Sequence, residues 1–323
     1  MALLRDRIEA GRAAKAQEAE ESFSAEKPTR EKILLLINPK AGRGRAVDIL
    51  GDYISILAAD GSPVTIYFTQ SAEDLTRYVM QAGDSYDRVI AAGGDGTLNE
   101  LVTGYIDGGL STELAYLPTG TTCDFASTLG IPSDISEAAE TARKGESSLL
   151  DVGVIDERKY FVYVASFGAF AETSYDTPTE LKNNIGRLAY VANALKNLNT
   201  IKPIEVKVNT HEAIYEGRFL MGAVCNSTQI GGILKFDPED VALDDGLFEL
   251  LLVRYPDDAG DMSTILTALR NQDYSSDAFI FTRVSRADFT FKEAIPWTVD
   301  GEFGGDYEAC SIHIKEKAWR LTH

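Results

Sequence analysis

The sequence predicts an α/β protein, with a first domain built on a parallel sheet followed by a β-rich second domain of antiparallel sandwich type. Three observations predict it. From Lys32 onward, short apolar runs alternate with amphipathic stretches, the pattern of repeated βα units. Beyond about residue 150 the runs are strand-like, with few helical stretches between them. Three loops rich in Gly, Thr and Asn each follow an early strand, and open parallel sheets bind ligands at that edge.

Residues 1–30 are rich in Ala, Glu, Arg and Lys and read as an exposed extension outside the fold, helical or frayed, with a partner-binding helix as the alternative. Ile33-Leu34-Leu35-Leu36-Ile37 is a buried strand, and Asn38 to Gly44 is a turn. Val47, Ile49, Leu50, Ile54 and Leu57 recur at helical spacing. Val64–Thr69 is a strand, 72–81 a helix and Arg88 to Ala92 another strand. Leu98, Leu101, Val102, Tyr105 and Ile106 then mark one face of a helix, and Leu114 to Leu117 a fourth strand. In the second half, strands are expected at 149–155, 160–165, 204–208, 218–225, 247–253 and 287–291, with one helix over 181–198. The expected domains are 31–147 and 148–309, with 310–323 as a segment that can rejoin the first.

Charge and cysteine content narrow the function. With 50 acidic residues against 31 basic ones, the net charge of −19 argues against nucleic acid and against bulk adhesion to an anionic membrane. No run resembles a membrane span or a signal peptide. The three cysteines, Cys123, Cys225 and Cys310, fit neither a disulfide framework nor a zinc spacing, so a reducing cytoplasm is the expected compartment.

The most informative stretch is Gly93-Gly94-Asp95-Gly96-Thr97, set between a strand and a helix. Such a junction offers backbone N–H groups and the positive end of a helix dipole to an anion. Asp95 would repel a phosphate unless a cation or a substrate hydroxyl lies between them, which points to phosphoryl transfer; a tight turn is the simpler reading. Asn38-Pro39-Lys40-Ala41-Gly42-Arg43-Gly44 adds glycines and basic side chains but lacks the Gly-Lys-Ser/Thr of a P-loop. Pro118-Thr119-Gly120-Thr121-Thr122-Cys123-Asp124-Phe125 adds hydroxyls and a carboxylate before a helix, which Thr122 or Asp124 could equally cap. Asp300-Gly301-Glu302 and Asp244-Asp245-Gly246, read alone, are turns.

These segments, in this order, resemble the diacylglycerol kinase catalytic domain, and more closely the bacterial soluble lipid kinases of that family, to which sphingosine and ceramide kinases are related. The similarity runs from about Lys32 to the C-terminus and takes in Asn226, Gly231-Gly232 and Leu243 to Phe248. The resemblance implies an NAD kinase/diacylglycerol kinase-like fold with an ATP site in the cleft, surrounded by Asn38, Pro39, Gly42, Thr69, Gly94, Asp95, Gly96, Thr97, Leu98, Asn99, Glu100 and Thr121. It implies Asp300 or Glu302 as the base that takes the lipid hydroxyl's proton, with Asp95 and Asp124 organising the catalytic Mg²⁺. A second, structural Mg²⁺ would take the carboxylate of Asp245 and the carbonyls of Ala242 and Leu247. Relatives usually carry Asn where this chain has Cys123. The implied reaction phosphorylates a hydroxyl of a membrane lipid, diacylglycerol to phosphatidic acid. The alternatives are an NAD kinase-like enzyme with a soluble substrate and a weakly active lipid-binding regulatory protein. A homodimer is left open.

Residues 181–202 hold Lys182, Arg187, Lys196 and Lys202 and no acidic residue. Two readings stand: a basic amphipathic helix that rests transiently on the inner face of the membrane, or a helix covering the second domain with a solvated basic face. Reversing the charge of Lys182 and Arg187 separates them. Weaker sedimentation with anionic liposomes is expected of the first, and unchanged binding and lipid turnover of the second.

Overall fold

The computed structural model describes residues 30–121, 123–157, 159–169, 202–231 and 234–323. Residues 1–29 of the N-terminal extension, Thr122, Gly232, the 181–198 helix and all of the basic stretch but Lys202 lie outside them. In the first half, β1 (Ile33–Ile37), β2 (Val64–Phe68), β3 (Arg88–Gly93) and β4 (Glu113–Pro118) form a parallel sheet in the order β2-β1-β3-β4. Every residue of β1 and β3 is buried, because helices cover both faces. Ala46 of α1 (Arg45–Asp48), Tyr53 and Leu57 of α2 (Leu50–Leu57) and the alanines of α6 (Ile135–Lys144) cover one face. Leu75 and Val79 of α3 (Asp74–Ala82) and Leu98, Leu101 and Val102 of α4 (Asp95–Asp107) cover the other, beside α5 (Asp124–Thr128).

The helix expected through 47–57 is two helices, broken at Ile49, where the backbone leaves helical geometry (φ −101°, ψ 10°). α6 was not expected. Its buried face is Ala138, Ala139 and Ala142, too small to stand out as apolar periodicity, and its start is set by Asp134, whose side chain accepts the N–H groups of Ser136 and Glu137.

The second half is β-rich. It comprises β5 (Ser147–Ile155), β6 (Lys159–Phe161), β7 (Val164–Gly168), β8 (Ile204–Thr210), β9 (Ile214–Cys225), the short pair β10 (Gln229–Ile230) and β11 (Leu234–Lys235), β12 (Phe248–Arg254), β13 (Phe279–Val284), β14 (Arg286–Val299) and β15 (Glu302–Thr322). The long strands β9 and β14 pair with β7 near one end and with β8 near the other, so the sheet closes over an aromatic interior of Phe167, Phe219, Phe289, Phe291 and Trp297. One expected strand, 160–165, is two, interrupted at Val162 and Tyr163. One helix was missed. α7 (Ala259–Asn271) buries Met262, Ile265 and Leu269 at helical spacing and is capped by Asp258.

The halves join through β15. It starts at the β14–β15 hairpin, pairs with β5, and ends parallel to β4 through Leu321 and Thr322, so all strands but β10 and β11 share one sheet. Trp319 is fully buried in this seam, donates its indole N–H to the Asp151 carbonyl at 3.1 Å and packs on Phe125. Trp319→Ala is expected to cost about 3–5 kcal/mol, read as a lowered urea midpoint. A change within about 0.5 kcal/mol, the range of a surface substitution, would show that the seam carries little stability.

Candidate active site

Parallel registration brings the loops together. Ile37 lies beside Phe68 and Ala92, and Gly93 beside Pro118, so Thr69, Asn38, Gly94 and Thr119 begin their loops side by side. The N–H of Thr69 bonds the Ile37 carbonyl at 2.9 Å, that of Asn38 the Ala92 carbonyl at 3.1 Å and that of Thr119 the Gly93 carbonyl at 2.8 Å. Glycine then permits backbone-on-backbone contact. A Cβ on Gly42 would lie 1.8 Å from the Thr119 carbonyl oxygen, and one on Gly120 2.6 Å from Gly94 Cα. The Asn38 amide reaches Thr97 Oγ1 at 3.3 Å and fastens the first loop to the first turn of α4. Pro39 lies beside Asn38 in this loop, and Thr121 is exposed at the rim of the third.

Gly94, Asp95 and Gly96 stand at the loops, while Asn99, on the same face of α4, lies one turn further along the helix. Leu98 is buried in the core and its N–H bonds the Gly94 carbonyl. The Glu100 carboxyl is hydrogen-bonded by the backbone of Glu73 and Leu75 at the start of α3. The Asn99 amide donates to the Tyr160 carbonyl at 2.9 Å and to Asp300 Oδ2 at 2.7 Å. These three side chains, which the resemblance placed around the nucleotide, therefore serve the core, α3 and the second domain.

Asp95 spans two loops. Its carboxylate accepts the N–H of Asp124 at 3.1 Å and of Phe125 at 3.4 Å, and so caps α5 from outside. Burial, and then the charge of Asp124, push Asp95 up to about 7. Two close carboxylates beneath loops that suit a phosphate fit a hard divalent cation. Thr119 Oγ1, buried in the loop after β4, makes no hydrogen bond among the described residues.

Cys123 adopts the left-handed conformation (φ +49°), where Asn is among the few side chains at home. That backbone requirement is a physical reason for the Asn that the resemblance implies at this position. The Cys123 thiol receives the Tyr116 hydroxyl at 3.4 Å, and burial pushes it up to about 11.

Asp300 and Glu302 occupy one hairpin with different surroundings. Asp300 is 3% exposed, and its two oxygens accept four hydrogen bonds: from Val162 N (2.6 Å) and Asn99 Nδ2 (2.7 Å) on Oδ2, and from Tyr163 N and Val164 N (3.0 Å each) on Oδ1. Burial raises it to about 6. Glu302 is exposed, and its carboxylate rests on Gly96, where an added Cβ would lie 2.7 Å from Oε1.

The Asp245 loop lies at the same end of the sandwich. Glu249 on β12 is level with Cys225 on β9, which is level with Val164 on β7. Asp245 accepts the Leu247 N–H at 3.0 Å and pairs with Arg283, and Gly246 donates to buried Asp151 at 2.8 Å. Glu249 is fully buried, and its carboxylate meets no other residue's hydrogen bond among the described residues; Arg283 Nε is 3.7 Å from Oε1, and burial pushes the carboxyl up to about 8. The resemblance gave Asp245 and the carbonyls of Ala242 and Leu247 to a structural Mg²⁺; in this structure the Arg283 guanidinium supplies the positive charge at Asp245. Among the described residues no three His, Cys, Asp or Glu side chains are placed to hold a metal together, so carbonyls or water would complete any shell. Asn226, also fully buried, has no hydrogen bond to its side chain among the described residues, and its motif carried no assigned role.

Comparison with known proteins settles the family. Residues 32–155 match the diacylglycerol kinase catalytic domain, and residues 163–318 the YegS C-terminal NAD kinase beta sandwich-like domain. The diacylglycerol kinase of Bacillus subtilis (strain 168) is 32% identical over 273 residues, 84% of this chain and 89% of that protein. The chain belongs to the diacylglycerol kinase family. It is a lipid kinase, a phosphotransferase with an alcohol acceptor. A further family member, the diacylglycerol kinase of Staphylococcus carnosus, is 29% identical over 89% of this chain and 94% of its own length. A crystal structure of a diacylglycerol kinase from Bacillus anthracis str. Sterne matches with a TM-score of 0.71 at 25% identity, covering 92% of this chain and 98% of that one. Another from that organism reaches a TM-score of 0.79 at the same identity and coverage. Among the described residues no helix is long and apolar enough to cross a membrane.

The raised Asp95 has a measurable consequence for the protein free of metal and nucleotide. Its folded value, about 7, lies above the unfolded one, so its contribution to stability is intact below about pH 4 and lost as pH rises through 7. Asp95→Asn removes that loss. At pH 8 the variant is expected to be the more stable by about 1–4 kcal/mol, while the two nearly coincide at pH 4, as read by urea unfolding. A difference independent of pH would refute it.

Proposed function

We propose that the chain transfers the γ-phosphoryl group of ATP, with Mg²⁺, to the hydroxyl of a membrane lipid, diacylglycerol giving phosphatidic acid. The observation that carries this reading is Glu302 at Gly96: an exposed carboxylate on the first turn of the helix that leaves the phosphate loop. The Asn38–Gly42, Gly94–Gly96 and Thr119–Thr121 loops bind the nucleotide phosphates, and Asp95 and Asp124 hold the cation. That cation offsets the charge on the phosphoryl oxygens. Glu302 accepts the proton of the lipid hydroxyl as its oxygen attacks. Asp300 is not the base in this reading, because four donors fill the acceptor sites of its carboxylate. Diacylglycerol as acceptor is supported by the names of the Bacillus and Staphylococcus relatives. The reading implies a cytoplasmic enzyme that meets the inner face of the membrane only transiently.

The test is phosphoryl transfer from labelled ATP to diacylglycerol, phosphatidylglycerol, ceramide or sphingosine in mixed micelles, with NAD in solution as the soluble acceptor. Labelled phosphatidic acid is expected, and Glu302→Gln should lower kcat about 10²- to 10⁴-fold while nucleotide binding persists. Label on NAD alone would make this a soluble-substrate kinase. Nucleotide binding without transfer to any acceptor would make it a regulatory protein.

A further inference from the structure

The Asp300-Gly301 turn is built more elaborately than a hairpin requires. Val299 pairs with Glu302, and the two residues between them have φ of +47° and +85°, the mirror-image turn for which Asn-Gly or Asp-Gly suffices with its side chain in water. Here the Asp300 side chain is drawn inward, where it gathers the N–H groups of Val162, Tyr163 and Val164, while its own N–H returns to the Val164 carbonyl at 2.9 Å. Three successive amides turned to one carboxylate cannot all join a strand ladder, and β6 and β7 are separated at Val162 and Tyr163. The hairpin tip is thus tied to its own domain.

The fourth donor comes from the other domain. The Asn99 amide nitrogen lies 2.7 Å from Asp300 Oδ2 and 2.9 Å from the Tyr160 carbonyl, so it bonds the second domain twice. Its oxygen accepts from Thr103 Oγ1 on the next turn of α4 at 3.4 Å, consistent with the nitrogen facing the two acceptors. Asn99 is three residues beyond Gly96, hence on the same face of α4 and one turn further along. The helix therefore offers two points, Gly96 and Asn99, and the hairpin meets them with Glu302 and Asp300.

We propose that Asn99 and Asp300 are positioning residues: together they lock the β14–β15 hairpin to α4 across the domain boundary and so hold the Glu302 carboxylate over the first turn of the helix. This rests on the reading of Glu302 as the base. Without the lock, the hairpin tip and the phosphate loop are separate bodies, and a displacement of about 1 Å at a reacting group can cost some 100-fold in rate. A pair that works in this way reaches the reaction only through Glu302.

The test is kinetic and uses the full chain with ATP and diacylglycerol micelles. Asn99→Ala is expected to lower kcat about 30- to 100-fold with KM for ATP within about two-fold, a split that general loosening of the fold would not produce. Asp300→Asn should do the same, and the double variant should fall no further than the worse single one. In the Glu302→Gln background, Asn99→Ala should leave the residual rate unchanged. The proposal is overturned if Asn99→Ala alone keeps kcat within two-fold of wild type, or if it lowers the residual rate of Glu302→Gln by the factor seen in wild type. If Glu302→Gln itself retains full kcat, the assignment of the base fails instead. Should Asp300→Asn fail to fold, the two Asn99→Ala comparisons decide the matter alone.

Discussion

A carboxylate taken out of water must be met by donors or by a cation, and this constraint governs the working end of the molecule. The fold meets it differently at each acid. Asp300 is saturated by four N–H donors, and Asp151 takes backbone N–H groups from Gly246 and Lys317. Asp95 receives only two, from the start of α5, with Asp124 close by, and Glu249 only a guanidinium at 3.7 Å. The saturated acids are the ones that fix backbone. The undersupplied ones, at the phosphate loop and beside the Asp245 turn, are held by burial well above the usual carboxylate range. In a chain of net charge −19 this is a division of labour among acids, with little surplus cation to blur it.

Much of the architecture was legible in the residues. β1, β3 and β4 are short runs of apolar side chains because both faces are covered, and such runs have few alternatives. The glycine loops were legible for the same local reason, since strand, glycines and amphipathic helix follow one another without interruption. What escaped was set by distant partners. The break between β6 and β7 is caused by Asp300, 136 to 138 residues further along the chain, so nothing local announces it. α6 hides because its buried face is alanine. α7 carried an adequate signal in Met262, Ile265 and Leu269, lost among strands that dominate that half.

The site was legible as a set of positions and illegible as a set of directions. The motif Gly94 to Glu100 reads as one unit, yet successive positions of a helix point in different directions and stand at different heights along it. Leu98, Asn99 and Glu100 go to the core, the neighbouring domain and α3. Likewise Asp300 and Glu302, two residues apart, fall on opposite sides of the distinction between buried and exposed. Asp-Gly-Glu as a hairpin turn and Asp-Gly-Glu as catalytic apparatus are compatible descriptions, because the turn is what separates the two acids.

The closing strand has a consequence for how the protein is made. β4, paired with β3 on one side, acquires its second partner from the far end of β15, where Arg320 pairs with Glu113, 207 residues earlier in the chain. During synthesis the parallel sheet must wait, with one edge uncovered, while the whole sandwich emerges and folds. An unpaired strand edge invites foreign strands. Chaperone dependence and aggregation of this protein should therefore track the delay before β15 leaves the ribosome more closely than the stability of either half.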